Sequence, residues 1–215
     1  MFAKNKKKIL WLRVSLMFVA VAIAAAVLAA NAAAPIPAEA ANSIDRQAIV
    51  DYAYRYWHNY NPDYRDFNNT GSRGGDCTNF VSQALRAGGW RDVWGLDYKS
   101  TSVWWYWKWP PFQSWTWVNA NKFFWFASGS GRADIVNISA DLNRRFTLQL
   151  GDIVQIDYER DGEMDHSMIV TKKDGYDIYL TYHTTLGRDR QDHKFLDIYG
   201  GSPGAAYYGW HLHDS

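Results

Sequence analysis

Cysteine is almost absent from this sequence, since Cys77 is the only one among 215 residues. A single cysteine cannot form an internal disulfide, so the chain is not a disulfide-stapled scaffold. The histidines His211 and His213 have no cysteine or paired carboxylates at ligand spacing beside them. Because structural zinc sites take about four such ligands, we expect no metal and no cofactor.

A strong charge of either sign is also missing. The chain has 23 Lys and Arg residues against 22 Asp and Glu residues, and residues 41–215 keep 18 and 21 of these, a net charge of about −3. No cluster of basic residues remains in that part. Nucleic-acid-binding domains present a basic patch, so we expect no nucleic-acid partner.

The first 40 residues have the pattern of an export signal. Five basic residues precede an apolar run from Val14 to Ala30 that only Ser15 interrupts, and Ala38-Glu39-Ala40 offers a small-residue cleavage site. The pattern predicts a signal peptide over residues 1–40 and one domain over residues 41–215. Because the run is long for a signal, an uncleaved membrane anchor is the alternative, and only then would the protein contact a membrane.

Export places the domain in a secreted, extracellular location, where it could associate with the cell wall. Exported proteins usually use their cysteines in pairs, as disulfides. A lone free thiol in such an oxidising place indicates that Cys77 is kept for chemistry.

The stretch Gly74–Leu85 reads as a glycine-rich loop that opens into a helix. Asp76 is predicted as the N-cap, and Gly88-Gly89 ends the helix. Cys77 therefore lies at a helix N-terminus, where the macrodipole and free N–H groups favour a thiolate, as a nucleophile requires. The alternative is a small buried structural residue, and the local sequence does not choose between the two.

The order of the other elements predicts an α+β fold. A helix over residues 43–58, capped by Asn42 or Ser43, precedes the cysteine helix. Another helix is predicted over Ser114–Ser128, capped by Ser114, and a loop with a short helix over residues 134–145. Strands are predicted after these, over Ile153–Tyr158, Met164–Lys173, Tyr176–Thr184, Phe195–Tyr199 and Ala206–Leu212.

Nine of the twelve tryptophans lie between Trp90 and Phe126. Those on the predicted helix are expected to form core, because aromatic residues at helical spacing mostly do. The loop with Trp104, Trp105, Trp107 and Trp109 has no helical period, and we expect it to be an exposed wall that lines the approach to Cys77 and binds substrate. The alternative is an aromatic core beneath a covering loop.

The turn signal Asp174-Gly175 predicts a two-residue hairpin loop. In that register the numbers of paired residues sum to 349, so His166 and His183 face each other directly on one side of the sheet. Together with Cys77 they would form a nucleophile, a base and a group that orients the base. Asp165 is a poor rival to His183, because neighbouring strand side chains point to opposite faces. Asp189 and Asp192 stay open as alternatives.

Three segments resemble the bacterial putative amidase domain family, which is related to the NlpC-like and CHAP-like cell-wall hydrolases of the papain-like group. They are Asp76-Cys77-Thr78-Asn79-Phe80-Val81-Ser82-Gln83, Leu150-Gly151-Asp152-Ile153-Val154 and His166-Ser167-Met168-Ile169-Val170. The resemblance implies a papain-like fold with the cysteine helix packed on an antiparallel sheet. It also implies that Cys77 is the nucleophile, His166 the base and His183 the third member.

These patterns predict a secreted cysteine hydrolase that cuts an amide or peptide bond, in cell-wall peptidoglycan, through a thioester. The Cys77 N–H would donate to the oxyanion, with Asp76, Asn79 and Gln83 supporting the site. Acyl transfer is the runner-up, and a non-catalytic cell-wall or carbohydrate-binding module that uses the tryptophans is the third possibility. We expect a monomer.

Overall fold

A six-stranded antiparallel sheet organises the fold, with strand order β3-β8-β4-β5-β6-β7. The computed structural model describes residues 44–68, 75–184 and 188–214, all within one unit that spans Ala41–Ser215. The predicted signal segment lies outside these residues. Among the residues described, none of the helices has the length and apolar character that crossing a bilayer demands. The predicted α+β class is confirmed.

Five α-helices and eight strands make up the described domain. The helices are α1 (Arg46–Tyr56), α2 (Cys77–Ala87), α3 (Trp115–Val118), α4 (Ala120–Ser130) and α5 (Phe195–Gly201). The strands are β1 (Tyr106–Trp107), β2 (Phe112–Gln113), β3 (Ala133–Asn137), β4 (Ile153–Asp157), β5 (His166–Lys173), β6 (Ile178–Tyr182), β7 (Arg190–Lys194) and β8 (Ala206–Leu212). Two 3₁₀ turns, Ile138–Ala140 and Leu142–Thr147, follow β3.

The sheet separates two apolar cores, which explains why β4 is buried along its whole length. On one face, Phe80 and Val81 of α2 pack with Ile169 of β5 and with Trp210. The opposite face is filled by a second set of side chains: Val154, Ile156, Met168, Val170, Leu180, Phe195 and Tyr207. A strand covered on both faces has a continuous apolar run instead of alternation. Helix α2 lies over β5, as predicted for the cysteine helix.

Helix α1 begins later than predicted. Its N-cap is Asp45, whose carboxylate accepts from the N–H of Ala48 at 2.9 Å, so neither proposed cap has that role. The next residue, Arg46, donates to Asp152 at 2.6 Å and to the carbonyl oxygen of Leu150 at 3.0 Å. The helix start is therefore set by these contacts with the turn before β4.

The predicted helix over Ser114–Ser128 is two helices. Asn119 adopts an extended conformation between them, and its side chain caps α4 by accepting from the N–H of Lys122 at 2.8 Å. Ser114 makes no capping bond, because its hydroxyl is engaged with Trp105. Helix α4 runs through Gly129 and ends at Gly131, which has the left-handed φ of 68°.

Three other assignments were wrong. Residues 133–137 form strand β3 at the edge of the sheet. Most of its residues are exposed, so the strand lacks the alternation of buried and exposed positions from which a strand is predicted. Strand β7 was not predicted either, because its sequence RQDHK is polar throughout and has no alternation of apolar and polar residues. Phe195–Tyr199 belongs to helix α5, not to a strand, and the Leu196 N–H in its first turn donates to the Asp177 carboxylate at 2.8 Å.

The hairpin between β5 and β6 differs from prediction by one residue. Its turn contains four residues, with Lys173 paired to Ile178, and a bulge follows before Val170 pairs with Leu180. The Asp174 carboxylate widens the turn by accepting from the N–H groups of Tyr176 and Asp177, each at 2.8 Å. Paired numbers near the histidines therefore sum to 350, not 349. A slip of one residue turns a side chain to the other face of a sheet.

Packing between α1 and the end of α2 gives a stability prediction. A Cβ at Gly88 would lie 2.3 Å from Cγ1 of Ile49 and 3.0 Å from the carbonyl oxygen of Asp45, so Gly88→Ala should destabilise the domain by about 1–3 kcal/mol through overpacking. The matched control is Gly129→Ala, where nothing lies within 4 Å and helix propensity should add about 1 kcal/mol. Urea unfolding measures both. Equal effects of the two substitutions would contradict the packing described.

Candidate active site

Cys77 is the first residue of α2 and is 6% exposed. Its Sγ contacts Oγ1 of Thr78 at 3.7 Å, and Thr78 is in turn hydrogen-bonded to the Ser167 hydroxyl of β5 at 2.9 Å. Burial raises the pKa of the Cys77 thiol above its usual value, opposed by hydrogen bonds from Thr78 and from the backbone of Ser167. We expected the helix terminus to favour a thiolate, but here desolvation outweighs the dipole.

His166 opens strand β5, one residue before the Ser167 that touches the start of α2. Its ring stands edge-to-face against Tyr182 with centroids 5.0 Å apart. Burial lowers the pKa of His166 to about 4, so the imidazole is neutral at pH 7 and can accept a proton. The residue as a whole is partly exposed to solvent.

The ring of His166 opens on a cavity of about 340 Å³. The lining combines apolar, aromatic and charged side chains: Ile156, Tyr158, Asp165, His166, Met168, Tyr182, Thr184, Arg188, Arg190, His193 and Ile198. Burial raises the pKa of Tyr158 in this lining. Between Cys77 and His166, both in the described part of the chain, there is no direct hydrogen bond.

His183 does not orient His166, contrary to the hairpin prediction. It lies on the helix-covered face, 2% exposed, with its ring stacked between Tyr60 and Phe80 at centroid distances of 4.1 and 4.0 Å. Nδ1 is 2.8 Å from Oδ2 of Asp76 and Nε2 is 2.9 Å from the carbonyl oxygen of Tyr56. His183 and Asp76 therefore form a buried hydrogen-bonded pair.

Asp76 occupies the predicted N-cap position of α2, but its carboxylate makes no capping hydrogen bond because it is used elsewhere. Besides His183, it accepts from the N–H of Phe67 at 3.0 Å and from Nδ2 of Asn79 at 2.8 Å. It is 1% exposed. Asp76 thus joins the incoming loop, the start of α2 and the end of β6.

Asn79 and Gln83 are structural in this arrangement and do not serve as oxyanion donors. The amide nitrogen of Asn79 donates to Asp76 and to the Arg65 carbonyl oxygen at 3.0 Å, while its oxygen accepts from Trp117 at 2.8 Å. Gln83 accepts from the Tyr52 hydroxyl at 2.5 Å. Six residues separate Gln83 from the thiol, about 9 Å along the helix axis.

Only two of the four tryptophans in the predicted exposed wall are exposed. Trp104 is fully buried, and its Nε1 donates to Ser82 of α2 at 3.1 Å. Trp105 is also buried, and it stacks on Trp94. Trp107 and Trp109 are 53% and 73% exposed. The first pair belongs to the core because the segment pairs with residues on both sides, so only the second pair could bind substrate.

The other aspartates considered as partners of His166 are bonded elsewhere. Asp165 accepts from the Tyr158 N–H at 2.8 Å, and Asp192 accepts from Thr171 at 2.8 Å. Asp189 accepts from Thr184 at 2.8 Å and from Tyr60 at 3.0 Å. Asp165 also lies with Asp157 and Glu159 in a group of carboxylates within 4.8 Å of one another, but Asp157 accepts from backbone N–H groups of the adjacent turn, so we assign it no metal.

The fold and site define an α+β protein whose only cysteine begins a helix packed on an antiparallel sheet, beside a strand that opens with a neutral histidine. The family model described as "Putative amidase domain" matches residues 43–210, and the chain belongs to that family.

Two curated relatives come from Bacillus subtilis (strain 168). The uncharacterised protein YhbB is 30% identical over 170 residues, 79% of this chain and 50% of the relative. The uncharacterised protein YjcM is 32% identical over 145 residues, 64% of this chain and 30% of the relative. The chain therefore spans half or less of these relatives' lengths. No solved structure matches it.

The buried pair gives a second prediction. Asp76→Asn and His183→Phe should each destabilise the domain by about 1–3 kcal/mol, because each leaves a buried hydrogen-bonding group without its partner. Phe keeps the stacking on Tyr60 and Phe80. The double variant should lose less than the sum of the two, with a coupling of at least about 0.5 kcal/mol in denaturant unfolding. Additive losses, or a His183→Phe protein of unchanged stability, would contradict the pairing.

Proposed function

We propose that the chain is an amide-bond hydrolase in which Cys77 is the nucleophile and His166 is the base. The observation that carries the proposal is the attachment of the cysteine end of α2 to the histidine end of β5 by the 2.9 Å bond between Thr78 and Ser167. Membership of the amidase family supports the reaction class. The same helix-on-sheet arrangement supports a papain-like relationship.

The chemistry begins with the Cys77 proton passing to His166 as the sulfur forms a bond to the substrate carbonyl carbon. The amine leaves with that proton when the C–N bond breaks, which gives a thioester. Water then adds, His166 takes its proton, and the C–S bond breaks to release the acid and the thiol. His166 is suited to this cycle because it is neutral over the physiological pH range.

The oxyanion would be held by the start of α2. Helix N-termini have unsatisfied N–H groups, and the Asp76 side chain does not cap this helix because it bonds to His183, Asn79 and Phe67. The Cys77 N–H is therefore not taken by the capping residue. The buried pair holds this terminus in place, so Asp76 and His183 act as positioning residues.

The resting thiol and imidazole are both uncharged at pH 7, since burial disfavours a charge on either one. Catalytic hydrogen bonds are often long or unformed in free enzymes and tighten with substrate. Charge separation between Cys77 and His166 therefore develops during the reaction and does not exist beforehand.

The expected substrate is a peptide or amide bond of the bacterial cell wall, and the expected location is outside the cell. The export pattern of residues 1–40 and the absence of a basic patch support this. Transfer of the acyl group to an amine instead of water would use the same thioester.

The test is digestion of purified peptidoglycan, with released fragments identified by mass spectrometry. Cys77→Ala and His166→Gln should each lower the rate by on the order of 10³-fold or more, with melting temperatures near that of the wild type. The wild-type rate should fall as the pH drops through about 4, because the base is then protonated. New amine-linked products would indicate transfer. Hydrolysis retained by Cys77→Ala would exclude the nucleophile assignment.

A second function, attachment to a polymer, is favoured by the exposed indoles of Trp107 and Trp109. Exposed aromatic faces suit stacking on sugar rings.

Trp109→Ala should therefore weaken retention on insoluble peptidoglycan, measured by co-sedimentation, and leave the melting temperature unchanged. The matched control is Trp104→Ala, which removes a core side chain and should cost about 3–5 kcal/mol of stability. Unchanged retention of Trp109→Ala would exclude this surface.

A further inference from the structure

The cavity that His166 lines carries an excess of positive charge. Two arginines, Arg188 and Arg190, line it, whereas Asp165 is the single acidic side chain in its lining. The two histidines in the lining have lowered pKa values, His166 through burial and His193 through burial and the neighbouring Arg190 charge. They are therefore uncharged at pH 7, and the arginines are not neutralised from within the cavity.

Arg190 lines the cavity and is exposed to solvent. Its charge acts on both members of the hydrogen-bonded pair formed by the Tyr182 hydroxyl and Nδ1 of His193, which are 2.6 Å apart. Its guanidinium donates to the carbonyl oxygen of Asp189 at 2.9 Å. In the described part of the chain no carboxylate lies within ion-pair distance of Arg190 or Arg188. Donors of Arg190 thus remain for a ligand.

Asp165, the single acidic residue in the lining, interacts with groups other than the arginines. The Asp165 carboxylate accepts from the Tyr158 N–H at 2.8 Å. It also hydrogen-bonds to Glu159 and raises the pKa of that carboxyl group. Asp165 therefore belongs to the acidic group at the end of β4 and does not pair with the arginines across the cavity.

The floor of the cavity strengthens the effect of the arginines. Ile156, Met168 and Ile198 are apolar, and a low-dielectric wall makes a nearby charge act more strongly than it does in water. A volume of about 340 Å³ is that of a small-ligand pocket. The guanidinium fork matches a carboxylate in geometry as well as in charge.

We propose that this cavity is the specificity subsite of the active site and that it binds a carboxylate of the substrate through Arg190. The inference rests on the proposed function, because it places the cavity next to the reacting thiol. The scissile amide then belongs to a peptide that carries a free carboxylate close to the bond that is cut, either on an acidic side chain or at a chain end.

The first test uses two alkylating reagents that differ only in charge. Iodoacetate and iodoacetamide are reacted with the full chain at one pH, and the Cys77 adduct is followed by mass spectrometry. Arg190→Gln should lower the ratio of the iodoacetate rate to the iodoacetamide rate by about five- to tenfold, because the cavity loses a positive charge that attracts the carboxylate of the reagent. The iodoacetamide rate itself should stay near the wild-type value.

The matched control is Arg91→Gln, which removes an exposed arginine that does not line the cavity. Its ratio should equal that of the wild type. An unchanged ratio in Arg190→Gln would overturn the subsite and leave the nucleophile assignment intact. A Cys77 that reacts with neither reagent would count against the nucleophile instead, and the subsite would then be judged by the second test.

The second test needs no reactive thiol. N-acetylglutamate and the carboxylate-free N-acetylglutaminamide are titrated into the wild-type protein, and the ring resonances of His193 and His166 are followed by NMR. N-acetylglutamate should shift them in a saturable way, N-acetylglutaminamide should not, and Arg190→Gln should abolish the shift. Absence of a shift with N-acetylglutamate would overturn the subsite. Equal or larger shifts with inorganic phosphate would overturn its assignment to a carboxylate.

Discussion

The hydrogen-bonded pair of Asp76 and His183 is the contact on which the site depends. Polar groups this deeply buried are tolerated only when their hydrogen bonds are made. Here the ring also donates to the Tyr56 carbonyl oxygen, and the carboxylate also accepts from Phe67 and Asn79. The pair therefore ties the end of α1, the loop before the cysteine and the end of β6 to the residue that precedes Cys77. The position of the thiol is set by this network more than by its own contacts.

The sheet divides the two central histidines between its faces. His183 lies with the helices, among aromatic side chains, and has a fixed partner at each nitrogen. His166 belongs to the other face, against Tyr182, at the mouth of a cavity. A buried, fully bonded ring is suited to holding elements together, and a neutral ring at the mouth of a cavity is suited to proton transfer. Similar residues on neighbouring strands thus have different roles because their surroundings differ.

Secondary structure was predicted correctly from the sequence where one physical signal dominates. Helix α2 was predicted because apolar positions repeat at helical spacing from Cys77 onward, and β4, β5 and β8 because β-rich apolar runs are bounded by turn residues. It missed β7, whose polar residues at the sheet edge have no alternation to read. It misplaced Trp104 and Trp105, because aromatic density does not tell which side of a loop is covered.

The sequence by itself determined the α+β class, the helix that begins at the lone cysteine, the strand that opens with His166 and membership of the amidase family. Only the tertiary structure decided what surrounds them: the burial that keeps the thiol protonated and the pairing of His183 with Asp76. The reason is geometric. Side chains alternate with period two along a strand, so a register shift of one residue exchanges the faces. The turn, whose backbone donates to Asp174, is two residues longer than predicted, and the bulge reduces the shift to one residue. The order of apolar and polar residues encodes neither feature.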